Sequence, residues 1–282
     1  MLSRDVAIQE KRPAAGIEKI TVKGGYGKDG RPEAVGEVTF AMGDIVSIVG
    51  PTGCGKTTLI NDIELFAGGD TPSGRRVLID GEAPEQERDP SKNPIALISQ
   101  HTNFLCDLPV GEFLATHASI RGNGNGVLLV RETLEFANQL TGEPLDLAIP
   151  MTALSGGQTR ALLIADAVII GNAPIVLLDE IENAGIDRAR ALELLKNYRK
   201  VFVFVTHDPR IALLSDYRIV MRGGAMQQVL RTDDEERRVV GEIKKLDDLL
   251  LMLRGEIRAG QRLDMAGLDR QLQALGYRRE TP

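Results

Sequence analysis

The stretch from residue 45 to residue 58 constrains the fold more than any other. Ile45-Val46-Ser47-Ile48-Val49 reads as a buried parallel strand and runs directly into Gly50-Pro51-Thr52-Gly53-Cys54-Gly55-Lys56-Thr57, a G-x-x-x-x-G-K-[ST] loop followed by Thr58. The glycines let the backbone curl with its N–H groups inward, Lys56 adds a cation, and Thr57 offers a hydroxyl to Mg²⁺. Residues 55–67 suit a helix whose positive end faces the bound anion, and Gly68-Gly69 would stop it. A strand, an anion-binding loop and a helix in this order place the chain in the α/β class; a glycine-rich surface turn is the bland alternative.

Further apolar runs deliver polar residues at their carboxyl ends, where open α/β sheets place their ligand crevice. Residues 95–99 lead to Gln100, which can orient a water or touch Mg²⁺. Ile175–Asp179 ends in the Asp179-Glu180 pair: Asp179 suits the shell of Mg²⁺ and Glu180 can polarise an attacking water. A pair of solvated strand-end acids is the alternative. Val201–Val205 delivers Thr206-His207-Asp208, whereas His101 and His117 read as bystanders. Upstream, residues 17–23 and 35–40 flank a glycine-rich turn and form an antiparallel lead-in. Tyr26 in that turn either stacks under a base or covers the sheet edge.

Between Gln100 and Leu154 the pattern turns helical, with Gly122-Asn-Gly-Asn-Gly126 separating two helices. This insertion ends at Leu154-Ser155-Gly156-Gly157-Gln158, where Ser155 and Gln158 make an S-x-x-Q capping box ahead of a helix. Two glycines and a helix start form a second anion site, although one nucleotide has a single terminal phosphate. Residues 218–221 and 226–230 form a closing hairpin. Beyond it, Thr232-Asp-Asp-Glu235 reads as a capping box, and Val239, Ile243, Leu246, Leu250, Leu253 and Ile257 form a heptad stripe; this tail either folds back on its own domain or offers a partner surface.

With 282 residues, 43% of them hydrophobic, and a net charge of −6, the chain can bury a large core, and no nucleic-acid partner is expected. Two cysteines, Cys54 and Cys106, make no disulfide framework and point to a reducing cytoplasm. The N-terminus lacks the apolar core of a secretory signal, and no apolar run reaches the length of a membrane span. Work at a membrane would need another chain to hold this one there.

Taken together, the phosphate loop, Gln100, Leu154–Gln158, Asp179-Glu180 and His207 resemble the ATP-binding cassette (ABC) ATPases, from about residue 17 to residue 230. The resemblance implies an α/β P-loop NTPase core with an antiparallel β lead-in, an inserted α-helical signature subdomain and a C-terminal helical extension. The expected organisation is an arm over 1–16, an ATPase domain over 17–231 with its helical subdomain at about 101–158, and the extension over 232–282. It also implies Mg-ATP binding and hydrolysis in a head-to-tail dimer, so that Ser155, Gly156, Gly157 and Gln158 of one protomer close on ATP held by the other.

Residue by residue, the resemblance makes Tyr26 the base-stacking aromatic. Residues 50–58 hold phosphate, Lys56 among them, and Thr57, Gln100 and Asp179 attend Mg²⁺. Gln100 also senses the terminal phosphate, Glu180 is the general base and His207 the switch. Leu108-Pro-Val-Gly-Glu112-Phe-Leu resembles the surface where a membrane partner docks. Ile181-Glu182-Asn183 ahead of Ala184-Gly185-Ile186-Asp187 lengthens a loop relative to the family, Thr159-Arg160-Ala161 and Asp166 replace more basic residues behind the signature, and the tail is not the small β-barrel of some importers. The implied partners are a second protomer and a separate transmembrane subunit; the alternative to a transporter is a soluble cassette remodelling a protein or metalloenzyme client.

Overall fold

The computed structural model describes residues 16–84, 93–99, 101–122, 125–179 and 188–277. Gln100, Glu180 and residues 181–187 lie outside the described residues, as does most of the proposed 1–16 arm. The chain divides into two compact units, 1–231 and 232–282.

The first unit is built on two sheets. The smaller is antiparallel, in the order β2 (Glu37–Ala41), β1 (Lys19–Lys23), β4 (Arg76–Ile79). The larger has six strands in the order β5 (Ile95–Ile98), β6 (Ile175–Asp179), β7 (Val201–Val205), β3 (Ile45–Val49), β8 (Tyr217–Arg222), β9 (Ala225–Arg231). Its first five strands run parallel, and β9 returns antiparallel as the closing hairpin.

Strand β7, and β6 as far as Leu178, are apolar without interruption because both faces of the sheet are covered there. Val176, Leu178, Phe202 and Phe204 point into one cluster, packed with residues of α2 (Val110–Arg121), α3 (Gly126–Leu140), α4 (Gly156–Val168) and α5 (Arg188–Leu195). Their strand neighbours Ile175, Leu177, Val201, Val203 and Val205 point the other way, against α1 (Lys56–Glu64) and the smaller sheet. A period of two thus divides one apolar run between two cores. Helix α1 ends at Glu64 with Leu65 as its C-cap, a little earlier than the 55–67 span predicts, because Phe66 adopts a left-handed conformation at φ 52°.

In the inserted subdomain, α2 ends at a left-handed Gly122, and α3 starts where the Asn125 side chain accepts from Val127 N. His117, a bystander to the chemistry in the sequence reading, has a structural role here. It bonds Asp166 of α4 through Nδ1 at 2.7 Å and receives the Arg121 Nε–H at Nε2, so it ties α2 to α4.

In the second unit α7 (Asp234–Arg258) and α8 (Met265–Ala274) follow a short α6 (Pro209–Leu214) in chain order. The α7 cap lies one residue later than the sequence suggests: Asp233 accepts from Glu236 N at 2.8 Å, in place of a Thr232–Glu235 box. Helix α8 folds back on α7, where Gln271 Nε2 donates to Glu256 and the Tyr277 hydroxyl donates to Glu242. Among the described residues no helix is long and apolar enough to cross a membrane.

Candidate functional site

Strand β3 lies between β7 and β8, so the carboxyl ends of β3, β6 and β7 meet at one edge of the sheet. At that edge the chain leaves β3 through Gly50 at φ 151°, where a Cβ would stand 2.4 Å from the Met221 carbonyl oxygen. It enters α1 through Gly55 at φ 99°, where a Cβ would stand 2.9 Å from Gly224 Cα. Neither position admits a side chain: the loop is pressed against the β8–β9 turn, and Gly224 N donates to the Cys54 carbonyl at 2.9 Å. No side chain caps α1, so its first N–H groups are left to the loop and what the loop binds.

Lys56 is buried, and its ammonium donates to the carbonyls of Gly50 (2.9 Å) and Pro51 (3.2 Å) and to His207 Nε2 (3.1 Å). An ammonium has no lone pair, so Nε2 is the acceptor and the imidazole proton sits on Nδ1. Thr57 and Thr58 are exposed at the start of α1. Asp179 closes β6 in register with Val205, and the next residue of β7's chain, Thr206, donates its N–H to Ile48 of β3. The structure therefore brings residues 50–58, Asp179 and His207 to one edge. Gln100 and Glu180 follow the described ends of β5 and β6 in the chain and lie outside the described residues.

The second predicted anion site has the local form expected of it. Ser155 caps α4, its Oγ accepting from Gln158 N (3.3 Å) while Gln158 Oε1 accepts from Ser155 N (2.9 Å). Gln158 Nε2 donates to the carbonyls of Glu143 and Pro144, so this side chain braces its own subdomain, whereas Ser155 and Gly156 face solvent. Tyr26 is 54% exposed, with its ring lying over Gly74, where a Cβ would stand 3.0 Å from the ring edge.

Sequence reasoning missed Lys28 and Arg75 beside the site, and noted Arg160 without identifying what it bonds. Lys28 donates from Nζ to the Gly53 carbonyl at 2.9 Å and from its backbone to Gly223. Arg75 is fully buried between Glu33 and Asp62. Burial works against its charge, but the bonds to the two carboxylates more than offset that, and its pKa is held above the ordinary value. Arg160 on α4 donates to the carbonyls of Ser99 (2.5 Å) and Thr102 (2.7 Å), linking the helix behind the signature to the loop after β5. Burial lowers the Arg160 pKa below the ordinary guanidinium value. The adjacent Gly223-Gly224 pair was the one available signal, since two consecutive glycines in a hairpin mark a close backbone approach.

A parallel sheet with a G-x-x-x-x-G-K-T loop between its central strand and a helix, and a lysine and a histidine converging above that loop, defines a nucleoside-triphosphatase of the phosphate-loop class. A family model described as ABC transporter matches residues 36–183. An uncharacterized ABC transporter ATP-binding protein of Methanocaldococcus jannaschii is 52% identical over 249 residues, covering 88% of this chain and 95% of that protein. The spermidine/putrescine import ATP-binding protein PotA of Bacteroides thetaiotaomicron is 32% identical over 212 residues, which is 71% of this chain but 44% of that protein.

Among solved structures, a dimeric ATP-binding cassette in a post-hydrolysis state with ADP and Pi bound superposes with a TM-score of 0.58 at 25% identity, covering 76% of this chain and 99% of that one. The fold also matches cbiO1 from Clostridium perfringens, part of the ABC transporter complex cbiONQ, at a TM-score of 0.57 and 22% identity, covering 84% of this chain and 96% of that one. This chain belongs to the ABC transporter family of ATP-binding proteins, and it is an ATPase that uses ATP with Mg²⁺.

Proposed function

We propose that this chain is the ATP-hydrolysing subunit of a membrane transporter, working as a head-to-tail pair of cassettes. The observation that carries the reading is the meeting of Lys56 Nζ and His207 Nε2 at 3.1 Å over the phosphate loop, from two elements 151 residues apart. Lys56 neutralises the terminal phosphates, backbone N–H groups of the loop and α1 bind their oxygens, and Tyr26 stacks the base. Mg²⁺ suits the site because the Thr57 hydroxyl and the Asp179 carboxylate are hard oxygen donors; Gln100 is the third residue assigned to it, and when bound it offsets charge on the phosphates.

Glu180 accepts the proton of the attacking water, and His207 is the switch that links it to the terminal phosphoryl group. Ser155, Gly156 and Gly157 of a second protomer, at the start of α4, close over the same phosphates, with Gln158 bracing the turn that presents them. Two anion sites in one chain are thereby explained, because each belongs to a different composite site. With no spanning helix among the described residues, a separate transmembrane subunit receives the motion, and the chain works in the cytoplasm at the inner face of the membrane. The relatives' roles in import and in a transporter complex support this assignment.

The test is light scattering of Glu180→Gln alone and with Mg-ATP, followed by capture of the trapped state from native extract. The expected result is ATP-bound dimer and a co-purifying membrane protein. A protein that stays monomeric with ATP bound removes the head-to-tail reading, and capture of a soluble enzyme in its place would make the chain a remodelling ATPase.

A further inference from the structure

Two turns and helix α1 meet beside the nucleotide site, and one buried guanidinium is bonded to all three. Arg75 Nε and one of its terminal nitrogens grip the Glu33 carboxylate at 3.1 and 2.6 Å. Its other terminal nitrogen donates to Asp62 on α1 at 2.9 Å, and a fourth bond goes to the Gly224 carbonyl at 2.7 Å. Glu33 in turn accepts from Gly25 N, next to Tyr26, and from Met226 N of β9. Gly224 is the residue whose own N–H holds Cys54 of the phosphate loop. The turn that carries Tyr26, the helix that leaves the phosphate loop and the hairpin turn behind that loop are thus referred to a single planar group.

We infer that Arg75 is a positioning residue for nucleotide recognition, setting the separation between the Tyr26 ring and the phosphate loop so that base and triphosphate are bound together. The inference rests on the reading of Tyr26 as the base-stacking residue and adds what holds it there. The planar fork matters more than the charge: Glu33 presents two oxygens to it and Gly224 a third, a pattern that a lysine ammonium on a flexible stem does not reproduce. Tyr26 itself is tied to neighbouring segments mainly through its backbone, by a 2.7 Å bond to the Ser73 carbonyl and a bridge to Pro32. Ser73 also belongs to the network, donating from Oγ to Asp62 at 2.8 Å. Loosening Arg75 therefore loosens the ring's support most directly, through Glu33 and Asp62–Ser73, and reaches the Gly50–Thr57 backbone only at second hand, through Gly224 and α1.

The experiment measures equilibrium binding of Mg-ATP and of inorganic tripolyphosphate with magnesium to the full chain, in wild type, Tyr26→Ala, Arg75→Lys and the double variant. Arg75→Lys is expected to weaken ATP binding and raise the KM for ATP about tenfold, within the range of one lost base–aromatic stack, with tripolyphosphate affinity and kcat within about twofold of wild type. In the double variant ATP binding should match Tyr26→Ala alone, since a residue acting through the ring has nothing to lose once the ring is gone. Equal weakening of ATP and tripolyphosphate by Arg75→Lys, or additive effects in the double variant, overturns the assignment. If Tyr26→Ala leaves the preference for ATP over tripolyphosphate unchanged, the stacking reading falls and the role of Arg75 falls with it. Should Arg75→Lys melt below the assay temperature, Glu33→Gln, which keeps the side-chain volume, takes its place: weakening confined to ATP supports the positioning role, and equal weakening of both ligands overturns it.

Discussion

At the scale of single residues, the least expected feature is a lysine in the interior. Lys200, at the start of β7, is 4% exposed, and its ammonium meets the Asn172 side-chain oxygen at 2.7 Å and the Ala173 carbonyl at 2.9 Å. Burial pulls its pKa down from 10.5 to about 8. Below pH 8 both folded and unfolded chains carry the proton, and the folded state bears the full cost of an interior charge. Between about pH 8 and 10.5 the unfolded chain holds the proton that the folded one has released, so stability rises with pH through that window, by up to about 3 kcal/mol from this residue. The checking measurement is urea unfolding of wild type and Lys200→Met across this window: the difference between the two should move in favour of wild type as pH increases, and a flat difference would refute the shift. Nothing in the sequence around Lys200 or Arg75 announces their burial. Lys56 and His207 were legible, since phosphate chemistry demands their types at fixed places beside a strand end.

At the scale of elements, the caps were the more legible part and the cross-links the less. The Ser155–Gln158 box is a local device, four residues long, and its two reciprocal bonds form as the sequence states. Ser155→Ala removes one of them and should cost about 1 kcal/mol in denaturant unfolding. Under the dimer reading it should also lower ATP hydrolysis by more than that loss of stability explains; a variant with full turnover would show that the hydroxyl serves the helix alone. What links α4 to the rest of its unit was not legible. The Arg160 bonds to Ser99 and Thr102, and the Asp166 bond to His117, join residues 61, 58 and 49 positions apart. These substitutions were visible as departures from the family, but their partners became identifiable only when α2, α4 and β5 were packed together.

For the whole molecule, residues 1–231 and 232–282 are separate compact units, and each can be tested by itself. Ending the chain at Arg231 should leave ATP affinity within about twofold of the full protein and a cooperative melt; failure of the shortened chain to fold would assign the tail a packing role instead. Helix α7 carries exposed Val239, Leu246, Leu250 and Ile257, and the sequence stripe that contains them is helical, as its spacing predicts. By itself the sequence determined the α/β class, the phosphate loop, the capped signature helix and the strand ends that bear polar residues. All of these follow from short-range rules: φ preferences, the periods of helix and strand, and the charge complement of a triphosphate. Only the tertiary structure decided that β3 lies between β7 and β8, which turn backs the phosphate loop, and that Arg75 and Lys200 are interior. The backbone groups that pair strands are nearly the same in every residue, so partner choice comes from how two cores fill around the sheet, and burial of a charge depends on neighbours that only folding brings near.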